Sequence, residues 1–388
     1  MFQLSDELRE KIFRITLALA LLVGISLSLT LWLSIRTFPH IPVLSGLVQI
    51  PFPFDVILLI FLMGLLVFIP VSPRRRELSM CVVFVLGVFA FFDQMRWQPW
   101  VYLYFFMFLI LAFTSQESLS RAKSLNVLRL LVASVYFYSG LSKINSVFPY
   151  EIFPWMIDPF VYFFPQTFKE LILVAGFVVP YIEIAIGVGL VTRRYRAFAV
   201  VGAILMHLFI LFSIGVRGWN VIVWPWNMAM IGFVYSLFWK ESTARFSDIV
   251  WGKKYFLHSI TFLFFVIFPA FGLFGFWDSY LSSSLYSGNI KTGHLYVSNE
   301  VLKELPGEIR KYATPSGKNT NSLDMYQWSF KELSVPPYPE VRVYKNIADS
   351  LCLRAGAGGE VSVVITGGPP FSHGKKVEYT CRSPTTQI

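Results

Sequence analysis

The segments YFYSGLSKIN (136–145), HLFILFSIG (207–215) and RGWNVIVWPWN (217–227) lie within almost unbroken apolar sequence. The surrounding runs are long enough to span a bilayer, yet they carry Lys143, Glu183, His207, Asn220 and Asn227. Ionisable groups are costly in hydrocarbon, so their recurrence in such runs marks a functional site by default.

Composition sets the frame for this region. Of 388 residues, 55% are hydrophobic and only 14% are charged, against about 25% charged in soluble domains. Phe alone occurs 39 times. This excludes an ordinary soluble enzyme and predicts a polytopic protein whose first partner is membrane lipid. The net charge of +10 does not point to nucleic acid. The basic residues flank apolar runs, as the positive-inside rule requires, and no basic stretch is interleaved with stacking aromatics.

Outward from the opening region, about nine apolar runs are read as helical spans: 15–35, 54–70, 79–93, 100–114, 126–143, 169–191, 197–216, 220–239 and 257–276. The first is too long for a signal-peptide core and no small-residue cleavage site follows it, so it reads as an uncleaved span. Residues 144–168 read as a re-entrant or interfacial connection. With the N-terminus in the cytoplasm, the inner loops hold Arg74–Arg76, Arg121, Lys123, Arg193, Arg194, Arg196 and Lys240–Lys254. That asymmetry fixes the orientation and puts the C-terminal part outside the cytoplasm. A bacterial inner membrane is the expected location.

Residues 277–388 change character. HLYVS (294–298), MYQWSFKEL (325–333), EVSVVIT (360–366) and KKVEYTC (375–381) read as strands, and 300–312 and 344–355 as helices, the first interrupted at Pro306. GGPP (367–370) reads as a hairpin turn. The expected architecture is an all-α membrane bundle over 1–276 and a small α+β extracytoplasmic domain over 277–388. In an oxidising compartment Cys352 and Cys381 would pair. Cys81 reads as a buried hydrophobe.

The polar residues of the bundle each admit two readings. Lys143, at the end of a span, fits both a snorkelling lysine and a general base in a dry cavity. Gly140, one turn earlier, is expected to leave room for a planar ligand. Glu183 fits both a helix-to-helix hydrogen bond and a proton relay, with Pro180 bending its helix. His207 is mid-span and fits an interhelical hydrogen bond better than a ligand; no second His or Cys stands at metal spacing, so no metal site is predicted. By depth, Lys143, Arg217 and Asn220 fall in an outer layer, Asn227 and His207 lower, and Glu183 deeper still. Asp93 and Arg96 are external and fit either a mutual pair or the rim of a cavity. Trp97, Trp100, Trp155, Trp219, Trp224 and Trp226 fit an aromatic belt or an aromatic wall for a quinone or isoprenoid head.

The motif Y-F-x-S-G-x-x-K-I-N, from Tyr136 to Asn145, resembles the lysine motif of vitamin K-dependent γ-glutamyl carboxylases and the wider horizontally transferred transmembrane family. LFSIG (211–215) is similar to a carboxylase segment, and a more distant similarity to DoxX-type membrane proteins runs through the G-x-x-K helix and the Glu-bearing helix after it. The carboxylase resemblance implies that Lys143 deprotonates a reduced, vitamin K-like quinone; Glu183 and His207 are further catalytic candidates by their place inside the spans, not by the resemblance. Ser142 and Leu205 depart from that pattern, standing where the family has a second lysine and a histidine. Two functions are therefore expected. One is a membrane enzyme using a quinol or another hydrophobic small molecule. The other is a non-catalytic, DoxX-like subunit whose outer domain binds an extracytoplasmic protein partner.

Overall fold

The computed structural model describes residues 4–44, 46–161, 165–216, 218, 220–252, 255–354, 359–369 and 376–382. Arg217, Trp219, Lys253, Lys254 and Pro370, which figure in the sequence reading, lie outside the described residues.

Ser5 opens the first helix, α1 (Asp6–Leu27): its side chain accepts a hydrogen bond from Leu8 N, and Asp6 and Glu7 occupy the positive end of the helix dipole. At Ser28 the hydroxyl donates back to Gly24 O, and a single further turn follows, α2 (Leu29–Trp32). Then come α3 (Phe54–Phe68), α4 (Arg75–Phe92) and α5 (Pro99–Ala112), the last with proline in its first turn where no donor is lost. The long α6 (Ser118–Ser142) ends at Lys143. It is followed by a π-helical turn, Phe148–Ile152, by α7 (Phe153–Val161) and by α8 (Gln166–Val174). The bundle continues with α9 (Val179–Val191), α10 (Arg196–Val216), α11 (Val223–Phe238), α12 (Phe246–Val250), α13 (Phe256–Phe262) and α14 (Phe268–Gly272).

By length and apolar composition, two helices among the described residues suit a membrane crossing, Ser118–Ser142 and Arg196–Gly215. A third joins them if Phe168–Phe177 and Val179–Val191, bent by 49°, form one span. The other apolar helices are shorter; Phe54–Phe68 and Pro99–Ala112 are examples. Large apolar side chains remain on the outside of the bundle, among them Phe54, Ile60, Phe84, Phe198 and Leu205. On a soluble surface such a band is unfavourable, and in lipid it costs nothing. The chain is a membrane protein.

The C-terminal region contains a five-stranded antiparallel sheet in the order β2-β3-β1-β4-β5: β1 (Lys291–Ser298), β2 (Ala313–Pro315), β3 (Thr320–Leu323), β4 (Glu360–Gly367) and β5 (Val377–Arg382). Leu295 of β1 lies opposite Leu323 on one side and Val363 on the other. Alternate residues Val361, Val363 and Ile365 are buried, as strand periodicity requires of a sheet with one covered face. The helices of this region are α15 (Asn299–Glu304), α16 (Gly307–Arg310), α17 (Met325–Leu333) and α18 (Val341–Arg354). Pro306 separates α15 from α16, as expected. MYQWSFKEL is α17 and not a strand. Asp324 caps it by accepting from Tyr326 N and Gln327 N, and Met325, Trp328, Ser329 and Leu333 are its buried face. The three- and four-residue spacing of that face is helical, and the local cap outweighs the aromatic strand propensity. The β2–β3 hairpin is an addition that the sequence reading did not contain. Cys352 of α18 and Cys381 of β5 form the expected disulfide. Cys81, by contrast, is exposed and not buried.

The sheet region is fastened to the bundle by polar contacts. Glu332 accepts from Thr37 N, from Thr37 Oγ1 at 2.5 Å and from Phe38 N at 3.0 Å. Arg342 donates to Gln94 Oε1 at 2.6 Å and pairs with Asp278.

Candidate functional site: a cavity beside a buried ion pair

Two glycines set the geometry of the site. A Cβ on Gly140 of α6 would lie 2.5 Å from Pro180 O and 2.8 Å from Ile184 N of α9. A Cβ on Gly187 of α9 would lie 2.8 Å from both Ala133 O and Phe137 N of α6. The two backbones therefore touch at two levels, as small residues permit between membrane helices. The space beside Gly140 is filled by α9; it is not the room for a planar ligand that the sequence reading expected.

This close crossing brings Lys143 to Glu183. Lys143 Nζ donates to Glu183 Oε2 at 2.7 Å and to Ser139 Oγ at 2.6 Å. Both residues are buried, so Lys143 does not snorkel to the headgroups. The depth ordering needs correction as well. The run 169–191 is broken between α8 and α9, and Glu183 sits near the start of α9. The Lys143 side chain turns back along α6 toward Ser139, following the direction in which helical side chains point. The two charges meet at one level.

A second polar line crosses the bundle one helix away. Asn227 Nδ2 donates to Val223 O at 2.8 Å, which leaves its Oδ1 as an acceptor. His207 Nδ1 is 2.8 Å from that oxygen and must carry the proton. His207 Nε2 is then the acceptor for the Tyr136 hydroxyl at 2.7 Å. The chain Tyr136–His207–Asn227–Val223 joins α6, α10 and α11 with every member engaged.

Between the two lines lies a cavity of about 320 Å³. Lys143, Glu183, Ser139, Tyr136, His207 and Asn227 line it, with apolar walls from Phe148, Met156, Ile182, Met206, Phe209 and Trp226. Its roof comes from Ser283, Leu285 and Tyr286, just ahead of β1. Asn220 Nδ2 donates to the Tyr286 hydroxyl at 2.5 Å, Asn145 Nδ2 to Ser287 O at 2.8 Å and Asn289 Nδ2 to Ser142 O at 2.5 Å. The Lys143 turn and the entry to the sheet region are thus one hydrogen-bonded unit. The arrangement can hold a mostly apolar molecule with a polar head. Glu183 Oε1 has no hydrogen-bond partner among the described residues and is free to accept from such a head.

The remaining candidates lie elsewhere. Asp93 and Arg96 do not line the cavity. Asp93 pairs with Arg36 at 2.6 Å and stands 3.5 Å from His40 and 3.9 Å from Arg96. Arg96 donates to Leu31 O, Phe89 O and Trp32 O. Burial opposes ionisation of Asp93, but Arg36, the His40 hydrogen bond and Arg96 outweigh it and hold the carboxyl well below its usual range. This knot fastens the chain after α2 to the α4–α5 junction. Trp97 stacks edge-on against Tyr102 and Phe105. Trp224 packs on the core, away from the cavity wall. The sequence reading missed Ser139 as a partner of Lys143, although it lies inside the quoted motif. It also missed Tyr286, which no local pattern in the sequence marks.

Comparison with known proteins gives one finding. Residues 121–221 match the family model described as "Methylamine utilisation protein MauE". No curated protein and no solved structure matches. The matched segment contains Lys143, Glu183 and His207 and runs from α6 through α10. It overturns the resemblance to the horizontally transferred transmembrane family and its carboxylases: the lysine motif that carried that resemblance lies inside a segment similar to a different family.

Proposed function

We propose that this chain is a non-catalytic membrane subunit in methylamine utilisation, and that its C-terminal region binds a protein partner. The observation that carries this reading is the match of residues 121–221, which takes in most of the cavity-forming helices. The ion pair supports it. Lys143 is held by Glu183 and Ser139 and is not a lone amine in a dry chamber. In the fuller form of the reading, nine spans place the N-terminus in the cytoplasm, and 277–388 form an extracytoplasmic domain. The basic inner loops and the Cys352–Cys381 disulfide support that orientation. Purification of the tagged full chain is expected to retain a stoichiometric partner, equally in wild type and Lys143→Ala. Loss of methylamine-dependent growth in Lys143→Ala, at normal protein level, would refute the non-catalytic reading.

A second reading is favoured by the cavity. Ile182 and Phe209 line it and are also partly exposed on the outside of the bundle, so a lipid-soluble molecule has a short lateral path inward. A small molecule with a hydroxyl head, such as a reduced quinone, suits the free acceptor on Glu183. Mass spectrometry of lipid extracts from wild type and Gly202→Leu, which fills one wall, tests this. A bound compound present in the first and depleted in the second is expected, and equal content would exclude it.

A further inference from the structure

Three clusters in the helical region gather arginines around one carboxylate, and they differ in how the guanidinium donors are used. Around Glu241, Arg9 donates to Ser236 O and Trp239 O, both at 2.9 Å, and Arg129 to Leu237 O at 2.9 Å, Asn126 Oδ1 at 2.6 Å and Glu241 at 2.8 Å. Around Asp93, Arg36 and Arg96 donate to five backbone carbonyls besides the carboxylate contacts. Those two clusters close helix ends and direct most of their donors to backbone carbonyls, although Arg9 Nε has no hydrogen-bond partner among the described residues.

The third cluster is built otherwise. Glu10 of α1 accepts from Arg14 at 2.7 Å and Arg121 at 2.9 Å and stands 3.4 Å from Arg75. Three guanidinium groups face one carboxylate, which leaves two positive charges without a counter-charge in the cluster. Among the described residues no second carboxylate pairs with any of the three. Among the described residues the Arg75 side chain makes no hydrogen bond, and the only carbonyl that accepts from the group is Gln116 O, from Arg121 at 3.2 Å. Arg14 is buried, and its Nε has no hydrogen-bond partner among the described residues. An unpaired buried donor is costly.

Helix polarity sharpens the imbalance. The cluster sits where α1, α4 and α6 begin, at the end of the bundle opposite the sheet. Arg75 is the first residue of α4, and Arg121 is one turn into α6. Helix N-termini carry partial positive charge and favour anions, so these arginines stand against the dipole. One ligand class relieves all of this together, a phosphate group. Its oxygens accept from several guanidinium groups, and its charge suits the helix ends.

We propose that Arg14, Arg75 and Arg121 form a binding site for a phosphate group at this end of the bundle. The same chemistry comes from an anionic lipid headgroup or from free phosphate. The test is thermal unfolding of the detergent-solubilised full chain, titrated with phosphatidylglycerol, with diacylglycerol, which lacks the phosphate, and with inorganic phosphate. Phosphatidylglycerol alone raising the unfolding temperature identifies a lipid site. Inorganic phosphate producing the same rise identifies a free-ion site. With one basic residue worth about 1 kcal/mol at an anionic surface, Arg75→Gln is expected to weaken binding about fivefold. Arg310→Gln, in α16 at the other end of the molecule, is expected to change nothing. Stabilisation by diacylglycerol equal to that by phosphatidylglycerol, no response to either phosphate source, or equal losses in the two variants would each overturn the proposal.

Discussion

Asp93 and Glu183 are both buried carboxylates near the sheet-bearing end of the bundle, both facing cations, in opposite surroundings. Around Asp93 the loop backbone closes in: Ile41 N and Met95 N donate to one oxygen while Arg36 donates to the other. Around Glu183 one oxygen meets Lys143 and the other borders a cavity. Charge burial alone therefore does not distinguish a structural knot from a site. The difference lies in whether the partners saturate the charge or leave it facing open space.

The largest effect is expected at the knot. Asp93→Ala leaves Arg36 and Arg96 buried without their carboxylate, and removal of one partner from a buried pair costs about 3–5 kcal/mol. Thermal unfolding in detergent should show a marked loss, and a stability close to wild type would dissolve the contrast. The knot also has a pH signature. A carboxyl held below its usual value contributes stability that is complete above the unfolded pKa of about 4 and is lost as pH falls toward the folded value. Acid unfolding below about pH 4 should be blunted in Asp93→Ala.

The same operation at the cavity is expected to be milder. Lys143→Met strands Glu183, but the cavity admits water or a proton to the carboxyl, and a loss of about 1–3 kcal/mol is expected. A loss equal to that of Asp93→Ala would mean that the cavity gives the pair no relief. Gly140→Ala forces α6 from the carbonyl of Pro180, with a cost of about 1–3 kcal/mol, and it should widen the Lys143–Glu183 separation; an unchanged unfolding temperature would argue against the tight crossing. Asn227→Leu breaks the line through His207 and should cost about 1 kcal/mol, with the His207 ring signal in NMR shifting as its Nδ1 partner disappears.

Much of the fold was legible in the sequence. The helical, membrane character, the strands at 294–298 and 360–366 and the disulfide all follow from apolar runs, alternation and cysteine placement. Helix α17 was misread because the Asp324 cap competes with strand-favouring aromatics. The break between α8 and α9 was missed because apolar composition continues across residues 175–178 while the backbone turns. Lys143, Glu183, His207 and Asn227 were all singled out, but their partners were not. Lys143 and Glu183 are 40 residues apart, and His207 and Tyr136 are 71 apart.

By itself the sequence determined which residues bear charge in an apolar chain, because the cost of placing them there is a property of each side chain and its neighbours. Only the tertiary structure decided what each charge meets. The contact of Gly140 with Pro180, the roof supplied by Tyr286 and the crowding of three arginines on Glu10 depend on how helices distant in sequence pack together. Such contacts leave no periodic trace along the chain.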